Sequence, residues 1–279
     1  MVELKKNEQE LTESIMGKIN LAKDKEKLGS SVVNLSKCVV NLSKKAGVDI
    51  GSTQAQVVFI IDKSGSMSNR YSSGVVQKIV NKIVPLGLTF DDDGNIVCMQ
   101  FDSSFRMCDD ITLANYSDYV NTKMARPGGG TCYSEPLKEL QRQFFGKDGA
   151  GSKKKELFGR LFGSKSKEDV PASAKTADVN TCPVFVVFIT DGACDPSDEK
   201  RTDEVIRELS NEMCFVQFIG SSDYSSEKFE YLTRLDDLSG RACDNTGFVR
   251  FDDIENVSDT DLYNMLLEQY ADWLKVKGF

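Results

Sequence analysis

Hydroxyl and carboxyl side chains recur at a fixed spacing directly after an apolar run near residue 60. Residues 57–61 are all apolar, the run ends at Asp62, and Ser64 and Ser66 follow at alternate positions. Gly65 permits the tight turn that lets both hydroxyls point inward. One carboxylate and two hydroxyls offer only oxygen ligands, and such ligands suit a hard divalent cation such as Mg²⁺ or Mn²⁺.

Two further segments carry the same kinds of side chain. Thr131 follows three glycines at 128–130, and Asp191 follows a second apolar run at 184–189. We expect these segments to converge with the first motif, because open α/β sheets bind ligands at the carboxyl ends of their strands. The alternative is that the same side chains cap helices and turns and hold no metal. The predicted metal site consists of Asp62, Ser64, Ser66, Thr131 and Asp191.

The chain has no histidine among its 279 residues, and this excludes several kinds of chemistry. Ser-His and Cys-His catalysis within the chain and histidine-ligated zinc, iron or copper sites are ruled out. A GxxxxGK[ST] phosphate loop is absent, and Ser64 stands where a haloacid-dehalogenase-type phosphotransferase has its second aspartate. Lys63 and Ser64 face opposite ways on an extended segment, which argues against a Ser-Lys hydrolase. We therefore expect a binding module, with a metal-dependent hydrolase or phosphotransferase as the alternative.

Charge, cysteine content and hydropathy limit the kinds of binding partner and the cellular compartment that we expect for the protein. The formal charge of −8 argues against bulk electrostatic binding to nucleic acid, so no nucleic-acid partner is expected. The eight cysteines form no CxxC pair, and several lie in apolar runs, as expected for buried thiols in a reducing compartment. The charged N-terminus does not resemble a signal peptide, and no run of about 18 apolar residues predicts a membrane span. These features together predict a cytoplasmic protein.

Strand and helix patterns alternate along most of the chain. Apolar runs predict strands at 57–61, 96–101, 184–189 and 213–219, with an edge strand at 247–251. Helical periodicity is present at 74–88, 134–145, 200–211, 226–235 and 259–276. This alternation predicts an α/β fold with a doubly wound, mostly parallel central sheet flanked by helices.

The first part of the chain has a different pattern. Residues 1–48 are predicted to form an N-terminal extension that packs on the main domain, residues 49–279. In residues 1–29, apolar positions recur on one helical face. Residues 31–47 are compatible with a strand or a helix, and their β-branched side chains favour the strand.

A long polar segment interrupts the main domain. Residues 146–181 are rich in Gly, Ser, Ala and Lys, and they predict a flexible insertion, since connections of this length are uncommon inside a compact domain. Its middle, 153–167, interleaves basic and apolar residues and is compatible with a short amphipathic helix that binds an anionic membrane or an acidic partner. A solvated loop is favoured, and a membrane-docked scaffold is a further functional alternative.

Three motifs in this sequence resemble the metal-ion-dependent adhesion site of von Willebrand factor A (vWA) domains: VVFIIDKSGSM, RPGGGTCY and FVVFITDG. The C-terminal part is similar to the TerF-type A domains of tellurium-resistance and stress-response systems. The resemblance covers roughly residues 30–278, apart from the insertion. Its C-terminal landmarks are Gly220-Ser221-Ser222, Leu235-Asp236-Asp237-Leu238, Gly240-Arg241, Asp244-Asn245 and Asp272-Trp273-Leu274.

The resemblance implies a role for each residue of the predicted site. Ser64, Ser66 and Thr131 would contact the metal through oxygen, and Asp62 and Asp191 would bind it directly or through water. In A domains the remaining position is filled by water or by a glutamate or aspartate of a partner protein. The resemblance therefore implies a non-enzymatic, Mg²⁺- or Mn²⁺-dependent protein-interaction module, and it leaves the partner and the oligomeric state open.

Four neighbours of the motif loops carry weaker hypotheses. Lys63 is either a solvated surface lysine or a cation that tunes the metal site or reaches an acidic ligand. Asp195 is either a turn residue or an acid behind the metal ligands. Cys132 and Cys194 are either ordinary buried thiols or a redox or soft-metal site.

Overall fold

The computed structural model describes residues 7–91, 93–146, 182–192, 194–222, 229–251 and 256–279. These residues form a six-stranded sheet with the spatial order β3-β2-β1-β4-β5-β6. All neighbouring strands are parallel except β2 and β3, which pair antiparallel. The strands are β1 Gln56–Asp62, β2 Val97–Phe101, β3 Phe105–Met107, β4 Val184–Thr190, β5 Cys214–Gly220 and β6 Thr246–Arg250.

Helices cover both faces of this sheet. They are α1 Glu8–Lys18, α2 Ala22–Ala46, α3 Ser68–Ser72, α4 Val75–Phe90, α5 Tyr119–Lys123, α6 Ser134–Phe145, α7 Pro196–Leu209, α8 Glu230–Asp236 and α9 Asp259–Lys277. Side chains of β1 alternate between two apolar clusters, with Phe59 in one and Ile60 in the other. The first cluster takes in α1, α2, α4 and α9, and the second takes in α6, α7 and α8. The doubly wound, mostly parallel α/β fold predicted from the sequence is therefore confirmed.

The strand favoured for residues 31–47 is wrong, because this segment lies within helix α2. The buried residues of α2 include a row of apolar side chains at three- and four-residue intervals, as on one face of a helix: Leu28, Val32, Leu35, Val39, Leu42 and Ala46. The β-branched valines therefore pack in the core from a helix, where burial outweighs their modest strand preference. The helix ends at Ala46, and the next residue, Gly47, has a φ of 76°, the left-handed conformation common after a helix.

The first two helices pack on the rest of the molecule. Asn7 caps α1 by accepting a hydrogen bond from the backbone of Glu10 (2.9 Å), and Leu11 and Ile15 are buried in the first apolar cluster. Helix α2 lies along α9 and also contacts α4. The periodic segment 1–29 is thus two elements, since the chain turns between Lys18 and Ala22.

One segment with a sequence-based prediction is not described by the structure. The predicted insertion, beyond Gly146, and its basic segment 153–167 lie outside the described residues. Within the described ranges, no helix is both long enough and apolar enough to cross a membrane.

Strand β1 occupies the position in the sheet at which a ligand-binding site is most expected. It lies between β2 and β4, and the chain winds to one side of it through β2 and to the other side through β4 and β5. Open α/β sheets bind their ligands at such a topological switch point, outside the carboxyl ends of the strands. Here the carboxyl ends of β1 and β4 are adjacent, and they carry Asp62 and Thr190.

Candidate metal centre

The carboxylate of Asp62 lies at the base of the candidate site. Asp62 is the last residue of β1 and is fully buried. Its Oδ1 accepts a hydrogen bond from the backbone N–H of Ser64 (2.6 Å), and its Oδ2 accepts one from the Thr190 hydroxyl (2.7 Å). Burial raises the pKa of Asp62 to about 6, the nearby charge of Asp191 also raises it, and the hydrogen bonds oppose both effects. A buried carboxylate with a raised pKa gains from a nearby positive charge.

Three more of the predicted residues join Asp62 in a hydrogen-bonded group. The hydroxyl oxygens of Ser64 and Ser66 lie 3.0 Å apart. Ser66 donates to Oδ1 of Asp191 (2.9 Å), which brings the loops after β1 and β4 together. Ser64 and Asp191 are buried, whereas Ser66 is exposed, so the group opens to solvent on the side of Ser66.

The loop that carries Thr131 packs directly on the loop after β1. Gly128 donates its backbone N–H to the carbonyl of Lys63 (2.7 Å), and Gly65 donates to the carbonyl of Gly129 (3.3 Å). Thr131 itself is partly buried. Among the residues that the structure describes, its hydroxyl has no hydrogen-bond partner. The structure therefore brings the Thr131 loop to the site without linking this hydroxyl to the other four side chains.

The same loop is held from the other side by the segment after β4. The backbone N–H of Asp195 donates to the Thr131 carbonyl (2.8 Å), and the Tyr133 hydroxyl donates to the Gly192 carbonyl (2.7 Å). The Asp195 carboxylate caps helix α7 by accepting from the backbone of Ser197 (2.8 Å). Asp195 is therefore a capping residue at a loop junction, as the turn interpretation of the sequence predicted.

An ion pair next to the site was not anticipated. The Lys63 ammonium binds the Asp102 carboxylate, and both side chains are largely buried, at 14% and 16% exposed. The backbone N–H of Ser104 also donates to Asp102 (2.9 Å), and the Asp102 carbonyl accepts from Cys132 (2.8 Å). Burial acts to raise the pKa of Asp102, but the hydrogen bonds from Lys63 and Ser104 outweigh it and lower that pKa.

This ion pair corrects the sequence-based account of Lys63. Its side chain is neither a solvated surface lysine nor a cation that stands open to an incoming ligand, because Asp102 already neutralises it. The pair instead connects the loop after β1 to the loop after β2. One signal pointed to Asp102: like Asp62, it follows directly after an apolar run.

The two cysteines beside the motif loops have the properties of ordinary thiols. Cys194 is buried, its sulfur donates to Oδ2 of Asp198 (3.7 Å), and burial raises its pKa to about 12. Burial also raises the pKa of Cys132. A raised pKa lowers the thiolate fraction, and the thiolate is the form that binds metals and reacts.

The oxygen atoms gathered here fit the chemistry of a hard divalent cation. Asp62 and Asp191 together balance a divalent charge, and neutral hydroxyls are accepted ligands of Mg²⁺ and Mn²⁺. Across the described parts of the chain, no cluster of three or more carboxylate or thiol side chains could hold a metal ion. A metal at this edge of the sheet would therefore depend on the hydroxyls as well as on the two carboxylates.

The doubly wound sheet and the oxygen-rich loops at its switch point define an α/β domain of the von Willebrand factor A type. The chain belongs to the vWA-TerF-like family, whose model, the vWA found in the TerF C terminus, matches residues 54–278. The resemblance seen in the sequence is therefore confirmed at the level of the family.

The chain is also similar to individual proteins. The uncharacterized protein YcbR of Bacillus subtilis (strain 168) is 29% identical over 221 residues, which cover 79% of this chain and 78% of YcbR. The manganese-loaded TRAP protein of Plasmodium vivax is 15% identical, with a TM-score of 0.48 over 80% of this chain and 75% of that one. A von Willebrand factor type A protein from Catenulispora acidiphila is also 15% identical, with a TM-score of 0.47. The match covers 77% of this chain and 43% of the Catenulispora protein.

Proposed function

We propose that this protein is a non-enzymatic interaction module whose binding depends on a divalent metal ion. In this proposal the oxygen ligands of Mg²⁺ or Mn²⁺ come from Asp62, Ser64, Ser66, Thr131 and Asp191. An acidic side chain of a protein partner completes the coordination. The observation that carries the proposal is the hydrogen-bonded group of Ser64, Ser66 and Asp191 beside the buried Asp62 carboxylate.

The residues of the site have different roles, and each role suits metal-dependent binding of a partner. Thr190 and the backbone of Ser64 hold the Asp62 carboxylate in one orientation. The neutral hydroxyls add ligands without adding negative charge, so a bound divalent ion would keep its attraction for an incoming carboxylate. Ser66 is exposed, which leaves the partner a route to the site.

Family membership supports a more specific setting for the module. The matched family is defined on the TerF C terminus. The resemblance of the sequence to TerF-type A domains implies a tellurium-resistance or stress-response system. We place the chain in a cytoplasmic system of that kind. Its partner is a protein and not a nucleic acid, in keeping with the net charge of −8.

Affinity capture from a native lysate tests the interaction. The full chain is used as bait in buffer with Mg²⁺ and in buffer with a chelator, beside the variants Asp62→Ala and Asp195→Asn. Asp195→Asn removes a neighbouring carboxylate but keeps the helix cap, since Asn caps as well as Asp. We expect a partner that is retained by the wild type and by Asp195→Asn in Mg²⁺ and is lost with the chelator or with Asp62→Ala. Equal retention by all three proteins in both buffers would contradict metal-dependent binding.

Phosphatase and nuclease assays in Mg²⁺ test the non-enzymatic part of the proposal. We expect no turnover above that of a buffer blank. Turnover that disappears in Asp62→Ala would overturn the proposal in favour of a metal-dependent hydrolase.

A further inference from the structure

Cys98 and Cys108 lie opposite each other on the antiparallel hairpin of β2 and β3. The register pairs Met99 with Met107, so the next pair outward is Cys98 with Cys108. The backbone N–H of Cys108 donates to the Cys98 carbonyl (2.9 Å), in line with this register. Opposite residues that share such a hydrogen bond have Cα atoms about 5.5 Å apart. That spacing falls within the range of about 4.4–6.8 Å that a disulfide requires.

Both cysteine side chains lie on the same face of the sheet. Cys98 is fully buried in the first apolar cluster, and Cys108 packs against that cluster from its partly buried position. Met99, the residue after Cys98 in β2, belongs to the cluster on the opposite face. The two sulfur atoms are therefore neighbours, and a bond between them needs no change of register.

The environments of the two thiols differ in the way that a reactive pair requires. Burial raises the pKa of Cys98 well above its usual value. Interaction with the Cys98 thiol lowers the pKa of Cys108, the charge of Arg106 lowers it further, and burial opposes both effects. By contrast, burial raises the pKa of Cys38 to about 11 and that of Cys194 to about 12. Cys108 is thus suited to react first, and Cys98 is shielded from solvent.

We propose that Cys98 and Cys108 are a modification site that forms a reversible intramolecular disulfide on reaction with a hydroperoxide. With hydrogen peroxide, the Cys108 thiolate attacks one oxygen, the O–O bond breaks, and hydroxide leaves and takes up a proton to become water. The resulting Cys108 sulfenic acid is attacked by the Cys98 sulfur, which forms the S–S bond. The hydroxyl group leaves with the Cys98 proton as a second water. The two sulfurs lose two electrons in total, and hydrogen peroxide is reduced to two molecules of water.

This inference is independent of the metal site, because neither cysteine is among the residues proposed to bind the ion. Trypsin cleaves after Arg106, between the two cysteines, and it leaves Cys98 in peptide 83–106 and Cys108 in peptide 107–123. Neither peptide contains another cysteine. A disulfide between them is therefore visible as one linked species that separates on reduction.

The first experiment treats the full chain with hydrogen peroxide, alkylates the remaining thiols, digests the protein and analyses it by mass spectrometry. We expect the linked pair 83–106/107–123 after oxidation and its loss after treatment with dithiothreitol. The control variant Cys243→Ser removes another partly buried cysteine, whose sulfur contacts the Ser210 carbonyl, and it should form the same linked pair. Alkylation of both Cys98 and Cys108 after peroxide treatment of the wild type would overturn the proposal.

A second experiment tests the order of the steps. In Cys98→Ala no resolving thiol is present, so the Cys108 sulfenic acid should persist and react with a cyclic 1,3-dione probe. We expect several-fold more dione adduct on peptide 107–123 in this variant than in the wild type. Equal labelling of the two proteins would contradict a resolving role for Cys98.

Discussion

At the scale of single residues, the candidate site depends on how one buried carboxylate is held. Thr190 donates its hydroxyl to Asp62 and is itself fully buried. Replacing it with the similarly shaped valine leaves a carboxylate oxygen without this donor, and such a loss costs about 1–3 kcal/mol. We predict that Thr190→Val lowers the free energy of unfolding by about this amount, as measured by urea denaturation in metal-free buffer.

A matched substitution on the surface controls for the change of side chain. Thr122 in α5 is exposed, and its hydroxyl donates to the carbonyl of Asp118, the residue before this helix (2.7 Å). Thr122→Val should change the free energy of unfolding by no more than about 0.5 kcal/mol. Equal effects of the two substitutions would show that the Thr190 hydroxyl does not stabilise the Asp62 carboxylate.

The raised pKa of a second residue, Asp236, which is far from the site in sequence, leads to a prediction of how stability depends on pH. Burial, aided by the charge of Asp244, raises the pKa of Asp236 from its ordinary 3.8 to about 6. Between these values the native state binds more protons than the unfolded state, so stability falls as the pH rises through this window. We predict that Asp236→Asn makes this fall shallower between about pH 4 and pH 6, as measured by denaturant titrations at several pH values. The exposed variant Asp272→Asn provides the comparison, and an unchanged slope in Asp236→Asn would contradict the assignment.

The spacing of polar residues predicted much of the candidate site but not its supports. Asp62, Ser64, Ser66 and Asp191 were named from motifs alone, and the structure places them in one hydrogen-bonded group. The role of Thr190 was not predictable, because a threonine at the end of a strand is as often a packing residue as a hydrogen-bond donor to a neighbouring side chain. The ion pair between Lys63 and Asp102 was missed for a related reason, since it joins loops that meet only when β1 and β2 pair.

At the scale of elements, helix α2 contributes to stability through the face that it turns to the core. Leu35 is fully buried on that face, in the cluster shared with α4 and α9. Truncating a buried leucine to alanine costs about 2–5 kcal/mol, because apolar contacts are lost and a cavity remains. We predict a loss of this size for Leu35→Ala in urea denaturation, against a change of at most about 0.5 kcal/mol for the exposed Lys37→Ala. A small effect of Leu35→Ala would show that α2 is not part of the cooperative fold.

The central strands were predictable from the sequence because burial on both faces leaves continuous apolar runs, and β1, β4 and β5 are buried at every position. Strand β3 was missed, since it has only three residues, all partly or fully exposed, and carries no periodic pattern. The error for residues 31–47 has a different cause. The β-branched side chains of this segment have an intrinsic preference for strands. The helical spacing of its apolar residues allows the segment to pack on α9, and this packing outweighs that preference.

At the scale of the whole molecule, the proposed metal site predicts a link between ion concentration and stability. A ligand that binds only the native state stabilises it by about 2.7 kcal/mol when its free concentration is 100 times Kd. We predict that the melting temperature of the wild type rises with added Mg²⁺ or Mn²⁺ and falls back with a chelator. Asp191→Ala should show no such rise, whereas Asp195→Asn should behave like the wild type. A rise of equal size in Asp191→Ala would place the stabilising ion elsewhere on the molecule.

Titration calorimetry of Mn²⁺ or Mg²⁺ into the metal-free full chain measures binding at the proposed metal site itself. We predict saturable binding in the wild type, weaker binding in Ser64→Ala with the fold retained, and no detectable binding in Asp62→Ala or Asp191→Ala. The variant Asp195→Asn should bind as the wild type does. Undiminished binding in either Asp62→Ala or Asp191→Ala would contradict the assignment of the metal site.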